Sequence, residues 1–311
     1  MLRFVIQRFA LSLLVVVVAS VLIFGSLHLV PGNPIATLAA GRPVDARTRA
    51  LLTAEYHLDD PFVVQYVDWI KNAVAGNFGR SYVEGESVRT LVSASVGTTF
   101  LLVAMSSVLI IVGGVATGTV AALRRGWIRS ALTAAVAVGL GVPTFVAAMV
   151  LITLFAVNLG WFPVFGSGTG LLDDLWHLTL PAIALAFSSL AYIARITQAS
   201  VEAELQREHV MTATARGLPR RQIIRRHVLR NAAIPVTTAS GLIIAYLVVG
   251  ASVVEQSFSL NGLGALLVNS IAREDFPVVQ AISLIVIVSF VVVNLVVDLL
   301  ASVLDPRVGL Q

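Results

Sequence analysis

Six apolar stretches, each long enough to cross a bilayer, constrain this chain more than any other feature. Read from hydropathy and helix breakers, they run over about 9–30, 97–123, 130–158, 178–200, 233–256 and 278–304 of the 311 residues. A helix needs roughly 20 apolar residues to cross a hydrocarbon layer of about 30 Å. With no water there to receive backbone N–H and C=O groups, long apolar segments of this kind must be helical. The chain is only 12% charged and has a mean hydropathy of +0.90, against roughly 25% charged for a soluble domain. Lipid is therefore its solvent, and the expected class is an all-α polytopic membrane protein with six transmembrane helices. The first run is not a cleavable leader. Arg3 and Arg8 lead into Phe9–Val30, which is longer than a signal-peptide apolar region, and Pro31-Gly32-Asn33-Pro34 follows where a small-residue cleavage site would stand.

Charge sets the orientation. Arg124, Arg125 and Arg129 crowd the short loop after the second run, and seven arginines (207, 216, 220, 221, 225, 226 and 230) lie between the fourth and fifth. The loops on the other side carry none over 159–177 and Arg273 alone over 257–277. The positive-inside rule then puts both termini and the arginine-rich loops in the cytoplasm. The 31–96 loop, with its six basic and seven acidic residues, is long enough to escape the rule and lies outside. The net charge of +4 follows from this topology and does not point to nucleic acid. The chain has no cysteine, so disulfides and thiolate metal sites do not arise.

Two parts are expected: 1–96, the first spanning helix plus a structured outer loop, and 97–311, a core of five spanning helices with a cytoplasmic loop at 201–232. Within the outer loop, Asp45 suits the N-cap of a helix through Ala54. Pro61 opens a second helix, with Phe62, Tyr66, Trp69, Ile70 and Val74 at helical spacing. That apolar stripe either packs on the bundle or lies on the outer membrane surface. Gly114 and Gly118 in the second span, and Gly139 and Gly141 in the third, predict close helix crossings. Pro143 and Pro235 are candidate kinks.

Catalytic signatures are missing. The five histidines (28, 57, 177, 209 and 227) lack metal-ligand spacing, and Gly166-Ser167-Gly168 reads as a turn. No phosphate-binding GxxxxGK[ST] loop exists, and the sole lysine, Lys71, stands in the outer loop. No catalytic residue, metal or bound cofactor is expected, and any ATP must bind elsewhere. Two acids fall inside spans: Glu255 near the outer end of the fifth and Asp298 about two turns from the inner end of the sixth. A charge at mid-bilayer costs about 3 kcal/mol, so both are expected to line a pathway or to pair structurally, Asp298 with a base such as Arg195.

The 201–232 loop has a mechanical logic of its own. Val201 to Arg216 extends the fourth helix inward and turns; Gly217 suits a positive-φ position just past a helix end. Leu218 supplies the apolar contact after it, and Pro219 suits the first turn of the next helix. Thr212, Ala213, Thr214 and Ala215 keep the preceding turn slim, as a helix end entering a groove on a partner must be. The alternative is a solvated basic loop that only sets topology.

Thr212-Ala213-Thr214-Ala215-Arg216-Gly217-Leu218, followed by Arg226-His227-Val228-Leu229-Arg230-Asn231-Ala232, resembles the EAA loop of binding-protein-dependent ABC importer permeases. More narrowly, the chain resembles the first permease subunit of dipeptide and oligopeptide importers, over nearly its whole length. Leu27-His28-Leu29-Val30-Pro31-Gly32-Asn33-Pro34, Leu58-Asp59-Asp60-Pro61, Gln65-Tyr66, Trp69 and Gly76-Asn77-Phe78-Gly79-Arg80-Ser81 carry the likeness through the amino-terminal part. Glu255, Phe258, Gly262-Leu263-Gly264, Asp298 and Leu304-Asp305-Pro306-Arg307 carry it to the end. The chain departs from the pattern at Met211, where the general motif has glutamate, at His57 for glycine, and at Ala301 for an aromatic.

The resemblance implies a type I ABC importer permease fold in a bacterial inner membrane and a non-catalytic subunit. It also implies a second homologous permease, ABC ATPase subunits holding ATP and magnesium against residues 211–219, and an extracytoplasmic binding lipoprotein that delivers peptide. Nickel, glutathione or another small solute is the alternative cargo. An ion-driven secondary transporter, whose hallmarks are internal repeats and central charges, and a membrane scaffold are the rival classes.

Overall fold

The computed structural model describes residues 2–29, 45–47, 53 and 60–304, and within them the chain is helical almost throughout. Helix α1 is Leu2–Leu29, α2 Phe62–Val74 and α3 Val88–Leu123. Helix α4 is Trp127–Gly141, α5 Thr144–Leu151 with a wider π-helical continuation Ile152–Asn158, α6 Leu171–His177 and α7 Thr179–Leu205. Helix α8 is Glu208–Ala215, and α9 is Arg220–Ser257, 38 residues that pass through a π-helical turn at Ile224–Val228. Helix α10 is Leu263–Ala272 and α11 Phe276–Leu304. The helix expected from Asp45 through Ala54, the Val30–Pro34 stop, His57-Leu58-Asp59 and the Asp305-Pro306-Arg307 end lie wholly or largely outside the described residues, as does the side chain of Ala301.

Five helices (within α1, α3, α7, α9 and α11) are long and apolar enough to span, and the α4–α5 pair, counted as one bent span, brings the number to six. The single third span expected over 130–158 is not straight: α4 and α5 meet at an angle of 107°. The cause is local. Pro143 clashes with a helical conformation of the residue before it, and Val142 is extended (ψ 118°). The carbonyl freed at Val142 accepts a hydrogen bond from Ser188 Oγ of α7 at 2.6 Å, so one of the backbone groups released by the break is paired within the protein. Pro235, the other candidate kink, sits inside α9 without ending it.

Helix α7 is the axis of the fold, touching α3, α4, α5 and α9. Its buried Leu180, Leu185 and Ile193 join Leu102 and Ile110 of α3 and Leu247 and Val254 of α9 in the main core. The α3–α7 crossing is close because α3 has no side chains there. A Cβ built on Gly118 would stand 2.3 Å from the Ala194 carbonyl oxygen, and one on Gly114 2.9 Å from Ile193 Cβ. Gly118→Leu is therefore expected to cost more than the usual 1–3 kcal/mol of overpacking, since the obstacle is backbone. Gly97→Ala in the same helix, with nothing within 4 Å, is expected to be neutral. Thermal midpoints of the detergent-solubilised complex check both. The outward faces stay apolar, with Leu22, Phe100, Val112 and Val138 all more than 60% exposed, as suits helices solvated by acyl chains.

The two ends of the bundle are built differently. At the outer end the segment after α2 is stapled to the α10–α11 turn. Buried Asp275 accepts hydrogen bonds from Ser81 Oγ and from Tyr82 N at 3.1 Å, and Arg273 pairs with Glu84 at 2.9 Å. At the inner end, α8 and the start of α9 fold onto the last turns of α3 and α7.

Candidate functional site: the arginine-rich inner loop

Helix α7 does not run on to Arg216 as the sequence suggests. It closes at Leu205, Gln206 and Arg207 turn back through hydrogen bonds to Ala203 and Glu204, and Arg207 is extended (ψ 146°) as the N-cap of α8. No glycine or proline marks this break; packing makes it. Val210 and Ala213 of α8 are buried against Val201, Ile223, Val228 and Ala232, with Ala122 and Leu123 of α3 closing the cluster. The loop thus has its own apolar core.

The end of α8 follows its glycine. Gly217 has φ +72°, its N–H donates to the Thr214 carbonyl at 3.0 Å, and the Leu218 N–H donates to the Ala213 carbonyl at 3.3 Å. This pair of bonds is a Schellman motif, and Leu218 supplies the apolar contact that accompanies it. Pro219 stands one place earlier than its expected position in the first turn: it is the N-cap of α9, extended at ψ 137°.

Seven of the nine residues singled out are mostly outward: Met211, Thr212, Thr214, Ala215, Arg216, Gly217 and Pro219 are exposed, whereas Ala213 is buried and Leu218 half-buried. The Thr214 hydroxyl is spent on its own helix, bonding Val210 O at 2.8 Å. The free edge of α8 is therefore Glu208, Met211, Thr212 and Ala215, spaced i, i+3, i+4, i+7. Thr212 and Ala215 keep it small at its centre and end, Met211 adds an adaptable apolar side chain, and Glu208 stands at its start.

Sequence reading missed the polar clamp behind this edge. Glu204 accepts from Asn231 Nδ2 at 2.9 Å and pairs with His209 Nε2 at 3.0 Å, tying the end of α7 to α8 and α9. Glu202 pairs with Arg129 at 2.9 Å, tying in the α3–α4 turn. Two of the loop's acids are thus consumed internally. Among the described residues, no ion pair engages Arg216, Arg220, Arg221, Arg225, Arg226 or Arg230. The last three, with Gln222, His227 and Asn231, line an open recess of about 840 Å³ beside α8. The loop presents a slim, braced helix edge flanked by uncompensated positive charge, which is the surface of something that docks.

The two intramembrane acids are both engaged. Asp298 pairs with Arg8 of α1 at 3.1 Å and not with Arg195, which is exposed on α7. Arg8 and Asp298 each stand six residues from the inner end of their helix, about 9 Å at 1.5 Å per residue; Arg195 stands ten residues, about 15 Å, from its own. Equal depth was the signal that would have found the partner. Glu255 is fully buried. It accepts from Thr99 Oγ1 at 2.6 Å and from Ala265 N at 2.9 Å, and Thr99 Oγ1 in turn accepts from Leu263 N at 2.8 Å. The carboxylate and Thr99 thus cap the first turn of α10, where unpaired N–H groups favour an anion.

Gly166-Ser167-Gly168 is a turn leading into α6: a Cβ on Gly168 would lie 2.4 Å from Asp173 backbone, and Gly166 N bonds the Phe258 carbonyl. Among the described residues no cluster of three or more metal-ligating side chains forms.

A polytopic helical bundle with one braced inner loop is an integral-membrane subunit built to dock a partner. Residues 114–310 match the family of binding-protein-dependent transport system inner membrane components, and residues 1–103 match the amino-terminal region of such components. The chain belongs to that family. It is 37% identical over 309 residues, 99% of both chains, to the glutathione transport system permease protein GsiC of Escherichia coli K12 and, equally, to that of Shigella dysenteriae serotype 1. Its fold matches a chain of the MetNI methionine ABC transporter in inward-facing form (TM-score 0.55, 17% identity, 69% of this chain and 96% of that one). It also matches an amino acid ABC transporter crystallised with histidines (TM-score 0.54, 18% identity, 70% and 94%). The protein is thus a multi-pass inner-membrane permease subunit of an ABC importer. It is not itself an enzyme, and ATP binds the partner ATPase.

Proposed function

We propose that this chain pairs with a second, related permease to form a path for short peptides, from dipeptides to oligopeptides and including peptide-like solutes such as glutathione. An extracytoplasmic binding protein delivers the cargo. ATPase subunits grip the chain at α8 and the Gly217 turn, through Met211, Thr212, Ala215 and Arg216. The observation that carries the coupling reading is the braced outward edge of α8. A helix with a private core and an internal clamp transmits a push to α7, α9 and α3 together, because it cannot yield separately. Whatever differential contact the ATPases make as they close and open is what shifts the bundle between its two accessible states. The cargo reading rests on the full-length likeness to glutathione permeases and on the peptide-importer motifs in the sequence.

The test is uptake by the reconstituted complex. Labelled di- and oligopeptides or glutathione are expected to enter with ATP on the cytoplasmic side and to be indifferent to a protonophore. Uptake of nickel without uptake of any peptide replaces the cargo. Uptake driven by the proton gradient without ATP overturns the coupling.

A further inference from the structure

Helix α2 is amphipathic, and only part of its apolar half is covered. At 100° per residue, Gln65, Asp68, Lys71 and Asn72 share one side of the helix, a sector of about 120°. Phe62, Tyr66, Trp69 and Ala73 form one apolar edge, and Val63, Val67, Ile70 and Val74 form the next. The first edge is taken by α1. Phe24 meets Phe62, Tyr66 and Trp69 with ring centroids 5.3, 5.8 and 5.5 Å apart, and Tyr66 Oη is 2.8 Å from Ser20 Oγ. Phe62, Tyr66 and Trp69 of the expected stripe therefore pack on the bundle through the first helix, while Val74 of the same stripe is exposed. Among the described residues the second edge is largely open: Val63 is 67% and Val74 84% exposed, with Val67 exposed between them, and Ile70 is half-buried.

Where α2 crosses α1 fixes what that second edge meets. Helix α1 runs to Leu29 at its outer end. Ser20, Phe24 and Gly25 lie four to nine residues inside that end, about 6 to 14 Å below it. This range overlaps the depth, about 5–10 Å into the boundary between headgroups and acyl chains, at which interfacial amphipathic helices rest. With the polar sector turned to water, the α1 edge and the valine edge both tilt down, one onto protein and the other away from it. The neighbouring surface of α1 is apolar and uncovered as well, at Val18, Val21 and Leu22. Tyr66 and Trp69 sit where aromatic side chains concentrate in membranes. Lys71, 70% exposed and 3.3 Å from Asp68, keeps its charge on the water side.

We propose that α2 lies in the outer leaflet along the membrane plane, leaning on α1 by one edge and presenting Val63, Val67 and Val74 to lipid acyl chains. It then anchors the extracytoplasmic segment that Ser81, Tyr82 and Asp275 staple to the α10–α11 turn.

The chain has no cysteine, which makes a clean test. Val63→Cys, Val67→Cys, Lys71→Cys and Asn72→Cys are made singly, assembled with the partner subunits in vesicles of phosphatidylethanolamine and phosphatidylglycerol, and treated from outside with a bulky water-soluble maleimide. The gel shift of this chain is the readout. Cysteines at 71 and 72 are expected to react, and those at 63 and 67 to react at least about tenfold more slowly, being under lipid. In parallel, the unsubstituted complex is irradiated with a phospholipid bearing a diazirine on its acyl chain; adducts are expected on residues 63–67. Valine positions that react as fast as Lys71→Cys place the edge in water, and protected positions with no lipid adduct place a protein there. Either result overturns the proposal.

Discussion

Replacing Gly217 is expected to lower import in the order Asn, then Ala, then Pro, with the proline variant below about a tenth of the normal rate. The order follows from one backbone angle. At φ +72° a Cβ costs roughly 1–2 kcal/mol, and asparagine tolerates this region better than alanine. Proline cannot reach it, being held near φ −65°, and it also removes the N–H that bonds Thr214 O. Nothing in this chain lies within 4 Å of the site where a Cβ would stand, so contact inside the subunit cannot produce such a series, and conformation can. Two neighbouring substitutions separate a misfolded loop from a misdocked one. Thr212 is exposed, so Thr212→Arg is expected to leave the melting temperature of the complex unchanged and to abolish cargo-dependent ATP hydrolysis. Ala213 is 4% exposed inside the loop core, so Ala213→Arg buries a charge with no partner and is expected to cost several kcal/mol. If Gly217→Pro and Thr212→Arg both import normally, α8 does not couple the ATPases to the path.

The places where sequence and structure part company share a cause. The existence of the spans and the Gly217 turn depend on residues within one helix length of one another, and local rules reach them. The break at Val142-Pro143 was half legible. Proline predicts a disturbance, but whether it becomes a mild kink or a 107° turn depends on Ser188, 46 residues on, being there to satisfy the freed carbonyl. Likewise Ala213 looked like part of a slim docking surface from composition, while its phase with Val210 points it inward. The end of α7 at Leu205 is invisible locally because Glu204 is held by His209 and by Asn231, 27 residues away. Asp298 was visible as a charge needing a partner, yet its partner sits at the opposite end of the chain. Pairings across such distances need the fold to name them.

Glu255 is where that gap matters most, because pathway and structural roles predict opposite results. Its carboxylate has two hydrogen-bond donors inside this chain, and Gly262 leaves the space it fills: a Cβ on Gly262 would stand 2.1 Å from Glu255 Cδ and 2.3 Å from either oxygen. Glu255→Leu strands the Ala265 N–H and the Thr99 hydroxyl in a buried, water-free place at about 1–3 kcal/mol each. It is expected to remove the assembled complex from the membrane. Gly262→Ala is expected to do nearly the same, because it evicts the carboxylate. The decisive measurement is the double-mutant cycle. In a Glu255→Ala background the obstacle is gone, so Gly262→Ala should then add little, leaving a coupling at the upper end of the roughly 0.5–3 kcal/mol seen for contacting residues. Glu255→Gln keeps an acceptor and the shape, and is expected to assemble and import at a reduced rate. A pathway residue would behave otherwise: Glu255→Gln would assemble like the unsubstituted chain yet lose cargo uptake, and the Gly262 effect would be independent of what stands at 255. Additive losses in the cycle would mean that the α9–α10 joint is not held by this carboxylate.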